Sequence, residues 1–332
     1  MTDAVRGLLQ GHFAEHDFLD ADGEHGKGAK EPPRAADTAQ PELAPLRSTG
    51  FDIPHQLAQH SMGVTYKLKL PALLATLRHC RSLNAKVLLF VSTTAAVDFF
   101  YSLFSSCPWP HEAATEPSLN SALLFGGWPL FSLHGNRSQQ ERQTTHKAFR
   151  PLKSGLLVCT DVAARGLDLP GVDWIVQYDP PTEVADYVHR IGRTARKGDA
   201  GSSLLFLSPS EWGFLGILES YDLNISPLSL EATLERGFAA AAAQAKGRPK
   251  PSGNVSALSL HEAVEGHVSR TPALRELALT AFQSFVRAYS AHSAELKIHF
   301  PVRSLHLGHV ARSFALQDAP TTIKQVVPKQ QT

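Results

Sequence analysis

Residues 154–208 read SGLLVCTDVAARGLDLPGVDWIVQYDPPTEVADYVHRIGRTARKGDAGSSLLFLS, and the alternation inside this stretch decides the fold. SGLLVCT, VDWIVQY and SSLLFLS are short apolar runs, each closed by polar or turn residues. Between the first two, VAAR has the composition of a short helix; between the second and third, TEVADYVHRIGRTAR has that of a longer one. Strands that are apolar on both faces and separated by helices need a mostly parallel sheet, because the crossover helices then cover both faces. Right-handed crossovers set the strand ends, and the loops that follow them, along one rim.

The same alternation extends upstream. PLFSLHG reads as a strand followed by the helix SQQERQTTHKAFR, and LNAKVLLFVST supplies another apolar run before the helix TAAVDFFYSLF. Lys67 to Cys80 carries leucines at 68, 70, 73, 74 and 77, partly at helical spacing. The irregular segment SSCPWPHEAATEPSLNSALLFGGWP is an insertion at about 105–129 whose ends are expected to return close together.

Past Pro209 the pattern becomes helical. SLEATLERGFAAAAAQAKG starts with a capping Ser229 and sets Leu230, Leu234 and Phe238 at fourfold spacing; RPKPSGN then interrupts it. Thr271-Pro272 has the form of an N-cap followed by an N1 proline. Behind it, Leu274, Leu277, Ala278, Ala281, Phe285, Ala288 and Tyr289 form one apolar stripe, which predicts a packed helix. The chain thus divides into a largely disordered tail (1–52), an α/β domain (55–210), a helical and flexible linker (211–264), a small helical extension (265–320) and a short tail (321–332).

Composition bounds the function. With 332 residues, 43% of them apolar, the chain can bury a sizeable core, and a net charge of +1 leaves anion recognition to local clusters. Cys80, Cys107 and Cys159 lack the pair spacing of a zinc site and fit a reduced, intracellular setting. The first residues, MTDAVRGLLQGHFAEHDFLDADGE, are not expected to act as a secretory signal, and no segment approaches the roughly 18 apolar residues of a membrane span. Gly26-Lys27-Gly28 comes nearest to a phosphate loop. Ala21 stands where the leading glycine belongs, and Gly28 where the magnesium-binding Ser or Thr belongs.

Charge concentrates in His189-Arg190-Ile191-Gly192-Arg193-Thr194-Ala195-Arg196-Lys197. On one continuous helix Arg190, Arg193 and Arg196 share a face, which is either a solvated basic surface or a set of guanidinium forks for phosphate oxygens. Upstream, Cys159 to Asp168 leaves a buried strand and bends at the rim. There the Thr160 hydroxyl and backbone N–H groups can meet a phosphate, and Asp168 can take a sugar hydroxyl or orient an arginine, or the segment can be a helix cap alone.

LLFVST at 88–93, HG at 134–135, QQER at 139–142, CTDVAARGLD at 159–168 and HRIGRTAR at 189–196, in this order, resemble the motifs of DEAD-box RNA helicases of superfamily 2. The resemblance is to their second, RecA-like domain, over about residues 55–210, and it implies a RecA-like fold. It implies further that Arg193 and Arg196 are arginine fingers toward the terminal phosphate of ATP, that Arg190 couples that site to RNA, and that Asp168 approaches the ribose. By the same resemblance Ser92, Thr160 and Gly166 contact the RNA sugar-phosphate backbone, with Gln139 and Arg142 supporting or making such contacts. ATP and Mg2+ are the implied cofactors, needed by the complete two-domain helicase.

AFQSFVRAYSAHSAELKIHFPVRSLHLGHVARSFAL, residues 281–316, resembles the helical extension of a nucleolar subgroup of these helicases, the DDX31 and Dbp7 branch, which acts in large ribosomal subunit assembly. That implies pre-ribosomal RNA and particle proteins as partners, rRNA processing as the process and the nucleolus as the place, with neither membrane nor DNA expected. Arg287, Lys297, Arg303, His306 and Arg312 are candidate contacts in this extension, the other reading being a bundle that only covers the core. The 332 residues contain no G-x-x-x-x-G-K-[ST] loop and no D-E-A-D tetrad. Two functions follow as expectations: the C-terminal motor half of a helicase, or a catalytically inactive RNA-binding or assembly module.

Overall fold

The computed structural model describes residues 53–109, 123–164, 168–243 and 253–317. The expected tails at 1–52 and 321–332 lie outside them. In chain order the sheet region comprises β1 (Leu57–Gly63), α1 (Tyr66–Ser82), β2 (Lys86–Phe90), α2 (Thr94–Ser106), β3 (Leu130–Leu133), α3 (Gln139–Phe149), β4 (Gly155–Cys159), α4 (Asp161–Ala164), β5 (Trp174–Gln177), α5 (Val184–Ile191) and β6 (Gly201–Leu207). There follow α6 (Gly213–Ser220), β7 (Ser226–Pro227), α7 (Leu230–Ala243), α8 (Gly253–Arg270), α9 (Pro272–Tyr289) and α10 (Leu307–Arg312).

The strands form one parallel sheet in the order β3-β4-β2-β5-β6-β1-β7, the RecA-like arrangement expected from the sequence. Alternate residues of the central strands feed two separate cores. Val87, Leu89, Leu156, Val158 and Val176 join the larger one, whereas Leu88, Phe90, Leu157, Cys159 and Ile175 join the smaller one beneath Phe149 of α3. Full burial of a large apolar side chain contributes about 1.5–3 kcal/mol, so sequences apolar at every strand position are stable only between two helical layers.

β1 was not evident in the sequence, since LAQHSMG carries five polar or small residues. It is nevertheless an interior strand, paired with β6 on one side and β7 on the other, and its buried Gln59 accepts a hydrogen bond from Tyr187 Oη at 2.9 Å. The ends of the insertion do return together: Pro108 bridges Leu123, and Leu124 N donates to Cys107 O at 2.9 Å. Its residues 110–122 are outside the described set.

The C-terminal helices pack on the larger core. α9 lies along α2, α7 and α8 cover α1, and α10 also reaches α1. A Cβ on Gly237 of α7 would sit 2.5 Å from Ala75 Cα, so glycine permits the close crossing with α1. The sequence boundary at 264/265 falls inside α8. That helix begins at Gly253, within the last two residues of the RPKPSGN interruption, and buries Ala257, Leu260, Val264 and Val268. The described parts of 211–264 are therefore packed structure, and the described residues form one compact unit.

Candidate nucleic-acid interface

Parallel register brings the motif residues to one rim. Phe90 on β2 is aligned with Cys159 on β4 and with Gln177 on β5, so residues 91–93, 160–162 and 178–180 leave three neighbouring strands together. Ser92 is held there by Asp179: its backbone N–H and its hydroxyl both donate to Asp179 Oδ2, each at 2.9 Å. Thr93 caps α2 by accepting from Ala96 N at 3.1 Å, and its hydroxyl lies 3.0 Å from that of Ser284 on α9. Thr160 is 6% exposed, and its N–H donates to Leu133 O at 3.3 Å. Gly166 lies outside the described residues.

Behind this rim the other oxygen of Asp179 accepts from Lys69 Nζ at 3.2 Å, with both side chains at most 3% exposed. The Lys69 ammonium sits among three rings, 4.7 Å from the centroid of Tyr66, 4.6 Å from Tyr178 and 5.6 Å from Phe285 of α9. A buried cation with a carboxylate and aromatic faces around it is compensated on every side the structure offers.

The expected single face of arginines is not formed. α5 ends at Ile191, Gly192 closes it, and Ala195 adopts a left-handed conformation at φ 54°. Two contacts force the break: the Thr194 hydroxyl donates to Val172 O, and the backbone of Gly201 approaches so closely that a Cβ there would lie 2.7 Å from Ala195 N. Arg190 consequently points inward and is 2% exposed. Its guanidinium grips Asp161 through two bonds, at 2.6 and 2.8 Å, and donates to Asp179 O at 2.7 Å and Gln177 Oε1 at 3.2 Å.

Arg193 and Arg196 turn back on the end of the helix. Arg193 Nε donates to His189 O at 3.1 Å and Arg196 Nε to Gly192 O at 2.9 Å, where positive charge meets the negative end of the helix dipole. Burial, and then the neighbouring Arg196, lower the affinity of Arg193 for its proton, yet a guanidinium stays charged, so this pair favours an anion between or beside its members. Asp168 is 63% exposed and lies between two guanidinium groups, Arg196 at 3.5 Å and Arg150 at 3.3 Å. Of the two roles open to Asp168, orienting an arginine is the one its present geometry displays.

The remaining motif residues occupy the adjoining turn. His134 is buried with Nε2 3.1 Å from Asp98 Oδ1 of α2, and Arg137 reaches the same oxygen at 3.3 Å. A capping box between Ser138 and Glu141 starts α3, setting exposed Gln139 and half-buried Arg142 on its first turn. A Cβ on Gly135 would be 3.8 Å from Val162, so this turn abuts α4. Asp161, Asp179 and Lys69 are the site residues that motif reading missed. Asp179 was discoverable from register alone, because it stands as far beyond Gln177 as Ser92 does beyond Phe90.

In the helical extension Arg287, Lys297, Arg303 and His306 are exposed. Arg312 is only partly exposed and already has a partner. It donates to both oxygens of Glu265 on α8, at 2.8 and 3.2 Å, and Glu265 is 3% exposed.

Comparison with known proteins agrees with this arrangement. Residues 68–198 match the helicase conserved C-terminal domain, and residues 271–322 match the C-terminal extension of ATP-dependent rRNA helicases like SPB4. DEAD-box ATP-dependent RNA helicase 17 of Oryza sativa subsp. japonica is 40% identical over 277 residues, covering 82% of this chain and 46% of the rice protein. ATP-dependent DNA helicase DDX31 of Homo sapiens is 39% identical over 312 residues, covering 89% of this chain and 36% of its own. ATP-dependent RNA helicase dbp7 of Schizosaccharomyces pombe is 37% identical over 290 residues, covering 81% and 40%. The chain thus spans less than half the length of these relatives. Among solved structures, domain 2 of the DEAD-box helicase Mss116p bound to an RNA duplex superimposes over 81% of this chain and 93% of its own with a TM-score of 0.57; at 24% identity that is a likeness of fold.

Proposed function

We infer, from this chain's place among homologues of the DEAD-box RNA helicases, whose conserved C-terminal domain and SPB4-like extension it carries, that it is the C-terminal half of an ATP-dependent RNA motor. Its work is large ribosomal subunit biogenesis and rRNA processing in the nucleolus, on pre-ribosomal RNA and beside particle proteins. The observation that carries this reading is the set of contacts from Arg190 to the Asp179 carbonyl and from the Asp179 carboxylate to Ser92, with Asp161 also gripping Arg190, which ties the arginine-rich segment to the rim.

In this reading Ser92, Thr160 and Gly166 address the RNA backbone, with Gln139 and Arg142 beside them, and bases are left unread. Arg193 and Arg196 release the helix carbonyls to meet the terminal phosphate of ATP, while Asp168 exchanges its arginine partners for the ribose. Arg190, held by Asp161 and the Asp179 carbonyl, couples the two. The donor set fits this task, since two guanidinium groups and a carboxylate are the groups that a phosphate and a sugar edge require. ATP supplies the driving energy when bound, and the first domain of a complete helicase would hold it with Mg2+.

The measurement is RNA binding beside ATP turnover. The purified chain is expected to bind RNA weakly, without base preference, and with affinity falling steeply as salt rises, because phosphate contacts release counterions. RNA-stimulated ATP hydrolysis is expected to be absent, since the 332 residues contain no phosphate loop or acidic tetrad. Folded chain that ignores RNA at low salt would refute the motor reading, and turnover abolished by Arg193→Ala would refute the division of labour. RNA binding retained, with no turnover after a first domain is supplied, would instead favour the inactive assembly module.

A further inference from the structure

We propose that Asp179 makes this rim selective for ribose, by taking the hydrogen of Ser92 and leaving its hydroxyl able only to accept. The inference rests on the reading that Ser92 faces a nucleic-acid backbone, and it names what that contact recognises. A hydroxyl has one hydrogen and two lone pairs. A carboxylate in a salt bridge only accepts, and Asp179 is paired with Lys69, so the 2.9 Å contact must use the hydrogen of Ser92. The Ser92 backbone N–H ends on the same Oδ2, which fixes the residue at two points and stops the hydroxyl from turning outward.

The next hydroxyl obeys the same constraint. Thr93 Oγ1 already accepts from Ala96 N, and Ser284 donates to Ala281 O at 2.9 Å. The 3.0 Å contact between the two therefore has Thr93 as donor. Both hydroxyls of this loop have their hydrogens committed inside the protein, one of them to the helical extension. Phe285 of that extension also closes the ring cage over Lys69, so α9 acts on both supports of the loop.

An acceptor-only surface discriminates between backbone groups. Phosphate oxygens accept and gain nothing from Ser92. A ribose 2′-hydroxyl can donate to it, whereas deoxyribose has no group there. Asp179 is thus a positioning residue: it touches no nucleic acid and sets what Ser92 can bind.

The test uses the whole 332-residue chain and single strands of about 12 uridines, in ribo, deoxy and 2′-fluoro forms, with anisotropy as the readout. One neutral hydrogen bond corresponds to a preference of about three- to tenfold. The ribo strand should bind tighter than both others by that factor. Ser92→Ala should weaken ribo binding alone, erasing the preference, and Ser92→Thr should retain it. Asp179→Asn frees the hydroxyl and should also erase the preference; should that variant fail to fold, the Ser92 pair of variants decides alone. Equal weakening of ribo and deoxy binding by Ser92→Ala would assign the contact to phosphate and overturn the proposal, as would no change in either. Failure of the parent chain to bind any of the strands at low salt would bring down the reading of the rim itself.

Discussion

Replacing Arg312 with alanine tests whether the C-terminal helices are held by a buried ion pair. Its guanidinium is 27% exposed and donates twice to Glu265, whose side chain is 4% exposed; His261 Nε2 lies 3.2 Å from the same carboxylate and 3.0 Å from Arg312 O. Removing one partner of a buried pair leaves an uncompensated charge and costs about 3–5 kcal/mol. Water can enter beside the partly exposed arginine, so a loss of about 2–3 kcal/mol is expected, or roughly 4–6 °C in Tm for a chain of this size. The double variant Arg312→Ala with Glu265→Gln removes the stranded charge and should recover more than half of the loss. Chemical denaturation of the single and double variants supplies the cycle. A single variant within about 0.5 kcal/mol of the parent, or a double variant no better than the single, would refute the structural role and return Arg312 to the pool of RNA contacts.

Arg190→Lys keeps the charge but cannot reproduce the fork on Asp161, and should cost about 3 kcal/mol together with RNA binding; unchanged binding by a stable variant would count against its coupling role. Burial lowers the pKa of His261 and of His292, the nearby Glu265 only partly opposing this for the former and the Tyr289 carbonyl for the latter. Both are therefore neutral in the fold, and the unfolded chain takes up protons first. Stability should be level above about pH 7 and fall as pH drops below about 6.5, by up to about 1.4 kcal/mol per pH unit for each histidine, until the folded form protonates. Unfolding midpoints that rise on acidification would contradict this. Gly237→Ala pushes a Cβ into the backbone of α1 and should cost about 1–3 kcal/mol in thermal unfolding, with little effect if the helices can part freely.

Much of the sheet was legible because β2, β4 and the second half of β6 are almost continuously apolar, a pattern that few other environments tolerate. β1 was hidden because its polar residues are compensated by contacts that only the finished fold creates, the Tyr187 hydroxyl on Gln59 among them. α8 was obscured for a related reason: buried His261 and Glu265 look like surface residues until Arg312 is brought to them. The motif residues do gather along one rim of the sheet, but helical periodicity overstated the continuity of the arginines. It contains no information about Thr194 reaching Val172 or about the approach of Gly201, and those contacts end the helix.

The position of β1 between β6 and β7 has a consequence for biogenesis of the chain itself. Of the described strands, the earliest in the sequence has the two latest as its neighbours, at Gly201–Leu207 and Ser226–Pro227. A nascent chain can assemble β2, β3, β4 and β5 while Leu57–Gly63 still waits with both edges open. Such long-range parallel pairing is slow, and an open strand edge invites intermolecular pairing in the interval. Premature termination before residue 201 should for that reason yield aggregating product, whereas release after β7 leaves a sheet whose first strand is already enclosed.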